Sequence, residues 1–189
     1  MREMGRIESR LSALQERKDR VLSLSREMVR LAGRSITLMH AKRLGEASRI
    51  MSRMSALSRK LKREERGFEF FSTQAHQEYV EALAFYNILK KGELATMKEL
   101  GVGEVPYLLG IMDLTGELKR EAIEAIRDGD YESADGYYSL MKGIYDSTRA
   151  MRFANSLVPE FRRKQDTARI QLESTASELI QAGRKPRYV

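Results

Sequence analysis

The 189-residue chain has no cysteine, no tryptophan and only three prolines. Without cysteine there is no disulfide framework, no thiolate metal site and no cysteine nucleophile. Aromatics make up 7% of the residues, too few to furnish the strands of a β protein. Ala, Leu, Met, Glu, Lys and Arg dominate instead, and this composition of helix formers predicts an all-α fold. No apolar run approaches membrane-spanning length, and the first ten residues, MREMGRIESR, are charged where a signal peptide has an apolar centre. A cytoplasmic protein with no membrane association is the expectation. No Pro/Gly/Ser-rich linker divides the chain, so residues 1–189 are expected to form one helical domain, with 183–189 as a flexible basic tail.

Two further absences narrow the chemistry. The only histidines, His40 and His76, do not lie three residues after a glutamate, which argues against the Glu-x-x-His ligands of a di-iron bundle. His76 is more suited to a structural or RNA-contacting role than to metal ligation. There is no G-x-S-x-G elbow and no strand to carry one, which argues against a Ser-His-Asp hydrolase.

What is abundant is positive charge, and it is unevenly placed. The net +7 divides into +10 over residues 1–66 (18 Lys/Arg against 8 Asp/Glu) and −3 over residues 67–189 (16 against 19). A basic front half suits a polyanionic partner such as nucleic acid, through phosphate neutralisation and counterion release. The bland alternative is a solvated helix surface.

Apolar residues at Ile7, Leu11, Leu14, Val21, Leu24, Met28 and Leu31 predict a long amphipathic helix, with a break expected between Arg34 and His40. The period resumes at Leu44, Ala47, Met51, Met54, Leu57 and Leu61 for a second helix, and its Met-rich seam reads as core or subunit interface. On its outer side lie Lys42, Arg49, Arg53, Lys60 and Arg63, several of which come together as a basic stripe, a candidate nucleic-acid-binding surface. Further helices are expected at about Thr73–Lys90, then, after a Gly101–Glu104 loop, with Pro106 in the first turn and running to about Arg127, from about Tyr131 to Asn155 with a weak point at Gly143, and from Pro159 to Ala182. Gly129 should close one helix and Asp130 cap the next. Six or seven helices joined by short connections describe a bundle.

Two acidic motifs stand out. At about 100° per residue, Glu78 and Glu81 lie about 60° apart, and Asp113 and Glu117 about 40° apart, so each pair shares a helix face. On the later helix, Leu108, Ile111, Leu114, Leu118 and Ala122 define the apolar side, and Asp113, Glu117, Arg120 and Glu124 lie opposite. Charged outer faces are ordinary on surface helices. If the two acidic faces met, however, four carboxylates could hold one or two hard cations, Mg²⁺ or Mn²⁺. Arg120 could then grip a phosphate, or simply pair with Glu117 or Glu124.

The segments QEYVEA (Gln77–Ala82) and YLLGIMDLTGEL (Tyr107–Leu118) resemble the translin family, and more nearly members like translin-associated factor X than translin itself. The resemblance extends over most of the chain and is most specific between Gln77 and Ile126. It implies a seven-helix fold assembling into a closed, hollow oligomer that acts on RNA inside. Family members similar to factor X are Mg²⁺-dependent endoribonucleases, acting in eukaryotes together with translin on small-RNA passenger strands and tRNA fragments. Their catalytic, metal-holding carboxylates fall on Glu78, Glu81, Asp113 and Glu117. The long basic N-terminal extension and extended tail of eukaryotic members are missing, so a homo-oligomer is expected in place of a dedicated translin partner. A second reading follows translin: a ring that binds RNA or single-stranded DNA without cleaving it.

Overall fold

Helix follows helix along the chain wherever the apolar residues recur at three- and four-residue steps. The computed structural model describes residues 1–183. Their elements are α1 (Arg2–His40), α2 (Leu44–Glu64), a 3₁₀ turn η1 (Glu69–Phe71), α3 (Thr73–Lys91), α4 (Met97–Leu100), α5 (Glu104–Arg127), α6 (Tyr131–Thr148) and α7 (Phe161–Gln181). No strand occurs among the described residues. The chain divides into two compact units, Met1–Tyr86 and Asn87–Val189, with the boundary inside α3. The expected basic tail falls, beyond Gly183, outside the described residues.

In the first unit α1 and α2 pack together along the predicted seam, burying Val21, Leu24, Met28, Leu31, Ala47, Met51, Met54, Leu57 and Leu61. Each large side chain so buried stabilises by roughly 1.5–3 kcal/mol. Ile7, Leu11 and Leu14 continue the same stripe but remain exposed. The break expected between Arg34 and His40 is absent. Ser35 and Thr37 direct their hydroxyls to the carbonyls of Ala32 and Gly33, while Leu38 and Met39 are buried; packing overrides the weak helix propensity of this stretch. The helix runs on to His40, and the chain turns just beyond it at Lys42, where φ is 59°.

The start of α3 is tied to the same unit. Tyr79 donates to Ser55 Oγ at 3.3 Å, His40 and Phe85 meet with ring centroids 5.1 Å apart, and His76 Nε2 lies 2.7 Å from Glu65 Oε2. His76 is 5% exposed, which makes it a structural tie between α3 and the end of α2.

In the second unit α5, α6 and α7 form a three-helix arrangement in which each packs on the other two. Leu114, Leu118, Ala122 and Leu179 are fully buried, and Ala134, Tyr138 and Leu179 form one cluster with Ala125, Ile126, Leu172 and Ala176 against it. Gly129, at φ 75°, follows α5 as expected, and Asp130 caps α6 by accepting from Ser133 N at 3.1 Å. Hydrogen bonds from Ser133 hold the Asp130 carboxyl below its ordinary range. Three boundaries differ from expectation. α6 runs unbroken through Gly143 and stops at Thr148, and α7 begins at Phe161 rather than Pro159. The intervening turn is locked by Gln165, whose amide donates to Thr148 O at 2.7 Å. The single turn α4, unforeseen because it offers less than one period, is held by a Thr96–Glu99 capping box.

Burial pushes the Glu65 carboxyl up, but hydrogen bonds from His76 and Ser72 outweigh it and leave it below the usual glutamate range. A depressed folded pKa means the stabilisation is present above that range and lost as pH falls through the lowered value. Urea denaturation of wild type and Glu65→Gln should therefore show a stability gap that is constant at neutral pH and closes below about pH 4.5; a gap unchanged at low pH would contradict this role.

Candidate functional site

The two acidic motifs lie in different units, and each is positioned by its neighbours in sequence. On α3, Tyr79, Val80 and Ala82 are buried, which fixes the rotation of the helix. Glu81 is itself 9% exposed and Glu78 is half-buried. A carboxylate as buried as Glu81 persists only with hydrogen bonds or positive charge beside it. On α5, full burial of Leu114 and Leu118 turns Asp113 and Glu117 to the opposite side, where both are half-buried, as the helical period requires.

Asp113 is held by a residue far away in sequence. Lys164, at the start of α7, forms an ion pair with Asp113 Oδ1, and the side chains are 15% and 25% exposed. A small cavity of about 130 Å³ beside the pair is lined by Met112, Asp113, Arg163, Lys164, Thr167 and Gln171. α7 comes close at Gly116, where a Cβ would lie 3.2 Å from Gln171 Nε2. Gln171 in turn accepts from Thr115 Oγ1 at 2.6 Å. A glycine inside a helix costs about 1 kcal/mol against alanine; this contact is its structural reason.

Lys164 was not among the residues singled out from the sequence, although a signal existed. Arg162-Arg163-Lys164 occupies the first turn of α7, which has no acidic residue and no side-chain cap. Cations at the positive end of a helix dipole are unfavourable unless something negative compensates. Asp113 does so for Lys164, and Glu160 for Arg163 at 2.5 Å.

Within each unit the carboxylates remain a pair: no third Asp, Glu or His among the described residues joins either to make a metal-holding group. Two carboxylates still suit Mg²⁺, which commonly takes one or two from protein and completes its shell with water and substrate phosphates. The ammonium on Asp113 shows that positive charge is favoured there.

The predicted RNA-binding cations Arg49, Arg53, Lys60, Arg63 and Arg120 are all exposed. Arg53 pairs with Glu27; Arg49, Lys60, Arg63 and Arg120 form no ion pair among the described residues and are available to a polyanion. Arg120 borders a shallow cavity of about 270 Å³ together with Lys119 and Arg127. A larger cavity of about 810 Å³, formed by the end of α3 with α5 and α6, has only uncharged lining residues, among them Ile88, Leu94, Tyr107, Leu140 and Ile144. Lacking any carboxylate or cation, it is unsuited to phosphodiester chemistry.

Comparison with known proteins places this geometry. Residues 16–175 match the model of the Translin family. An uncharacterized protein of Methanocaldococcus jannaschii is 28% identical over 169 residues, covering 86% of this chain and 75% of that protein. Translin-associated protein X of Mus musculus is 23% identical over 181 residues, covering 72% of this chain and 62% of the mouse protein. Among solved structures, AfC3PO in complex with duplex RNA superposes with a TM-score of 0.89 at 33% identity, over 97% of both chains. Apo-NeC3PO, 24% identical with a TM-score of 0.87 over 96% of this chain and 98% of that one, shares the fold. With the family model covering most of its length and the all-helical architecture matching, the chain belongs to the translin family.

Proposed function

We propose that this protein is a metal-dependent endoribonuclease that works as a homo-oligomer. The observation that carries the reading is the likeness, at 33% identity over 97% of the chain, to a protein whose structure holds duplex RNA. Support for cleavage as well as binding comes from the two carboxylate pairs, Glu78 with Glu81 and Asp113 with Glu117, on helix faces set by the burial of their neighbours.

RNA is drawn to the exposed cations of α2, Arg49, Arg53, Lys60 and Arg63, whose contribution is electrostatic and indifferent to base sequence. Mg²⁺ or Mn²⁺, when bound, supplies Lewis acidity, lowering the pKa of water and neutralising charge on the phosphate. The residues that would hold such an ion are Glu78 with Glu81 in the first unit and Asp113 with Glu117 in the second. Lys164 orients Asp113 through their ion pair, and a second cation arriving at Asp113 must compete with that ammonium. Released from the carboxylate, Lys164 would remain beside the cavity, where its ammonium can donate to a phosphate oxygen.

Glu81→Ala and Asp113→Ala should each lower RNA cleavage by about a hundredfold or more, the scale of a lost catalytic group, while RNA binding and oligomer mass by light scattering persist. Cleavage should cease with EDTA and return with Mg²⁺ or Mn²⁺. Salt-sensitive RNA binding by wild type without any metal-dependent cleavage would instead establish the second reading, a nucleic-acid-binding ring. Removing the competing ammonium in Lys164→Gln should tighten Mn²⁺ binding, measured by calorimetry, by up to about fivefold, as expected for an ion pair of ~1 kcal/mol. Weaker Mn²⁺ binding would refute the competition.

A further inference from the structure

Half of the six phenylalanines in the chain lie within four residues of one another, at Phe68, Phe70 and Phe71. They form the turn between α2 and α3, where η1 occupies Glu69–Phe71. Phe70 is 86% exposed and Phe71 is 37% exposed. Burying a phenylalanine is worth roughly 1.5–3 kcal/mol, so a ring left this far in water contributes little to folding. Its position requires another reason.

The turn is rigidly built. α2 ends at Glu64, whose carbonyl accepts from Arg17 Nε at 2.9 Å. Gly67 adopts φ 82°, and its N–H donates to Glu69 Oε1 at 2.9 Å. Ser72 and Thr73 hydroxyls both donate to the Glu69 carbonyl, at 3.1 and 2.8 Å. Phe71 stands edge-on to Phe70, with centroids 5.6 Å apart and planes at 82°. The Phe70 ring is thus presented on a fixed base, and a ligand that covers it loses little conformational entropy in doing so.

Cations surround these rings. The Arg17 guanidinium lies 5.0 Å from the Phe68 centroid and the Lys18 ammonium 5.5 Å from that of Phe71. Arg66 adjoins the turn and Arg63 lies in the last turn of α2, both exposed. A polyanion carrying flat, apolar faces meets both requirements, because phosphates satisfy the cations and a base covers the ring.

We propose that the Phe68–Phe71 turn is a stacking platform for unpaired nucleobases, with Phe70 as the ring on which a base lies. This rests on the RNA-binding reading above and adds a substrate class to it: RNA with single-stranded segments or unpaired ends. Bases inside an A-form duplex are already stacked and present no free face to the platform.

The absence of tryptophan from the chain provides a direct test. In Phe70→Trp the introduced indole is the sole tryptophan, and its fluorescence should be quenched on saturation with oligo(U) or oligo(A) but not with a blunt-ended duplex. Phe70→Ala should weaken single-strand affinity about tenfold, as expected for loss of one stacked base, and leave the slope of log affinity against log salt unchanged. Arg63→Ala should lower that slope by roughly one phosphate contact. An indole unaffected by saturating single strand, while wild type and variant still bind RNA, overturns the platform and leaves the RNA-binding reading standing. An emission that shifts to the blue with protein concentration in the absence of RNA assigns the ring to a contact between copies and also overturns it. Wild-type protein that binds no RNA defeats the parent reading and the platform together.

Discussion

Burial of one stripe of α5 governs what the rest of the second unit can do. Leu114, Leu118 and Ala122 lose all exposure, and a rigid helix that hides those positions must turn Asp113, Glu117 and Arg120 away from them. The core and the candidate chemistry are therefore two faces of a single constraint. α3 obeys a tighter version, since Tyr79, Val80 and Ala82 are all buried and Glu81 is largely drawn in with them. Glu78, Asp113 and Glu117 are thus half-buried, and Glu81 alone of the four is buried.

Helix-to-helix approach then decides which of the presented groups acquire partners. α7 lies close enough to α5 for Gln171 to meet Thr115 beside Gly116, and the same approach delivers Lys164 to Asp113 across 51 residues of sequence. Three cations in the first turn of α7 are locally unfavourable and become tolerable once Asp113 and Glu160 face two of them. Local disadvantage offset by a tertiary partner is common where a site is assembled from several elements.

Most of the helical layout was legible because it is written in a period of 3.6 residues, which depends only on neighbouring positions. The seam of α1 with α2, the Asp130 cap and the outward turn of Asp113 and Glu117 were all read this way. The errors occurred where a local signal competed with packing: the break expected between Arg34 and His40 disappears under the burial of Leu38 and Met39, and Gly143 leaves α6 intact. His76 is a case in which composition left two roles open. Its pairing with Glu65 at 2.7 Å and its near-complete burial select the structural one.

By itself the sequence determined the helical class, the faces on which the acidic and basic residues are carried, and membership of the translin family through the segments around Glu78 and Asp113. Tertiary structure decided that Lys164 pairs with Asp113, that Arg53 is engaged by Glu27, and that Phe70 stands in solvent in a turn whose Phe68 and Phe71 rings lie against cations of α1. The physical reason is one of range. Helix periodicity fixes a side chain's direction from its nearest neighbours, whereas an ion pair or an exposed aromatic cluster depends on where a distant helix comes to rest.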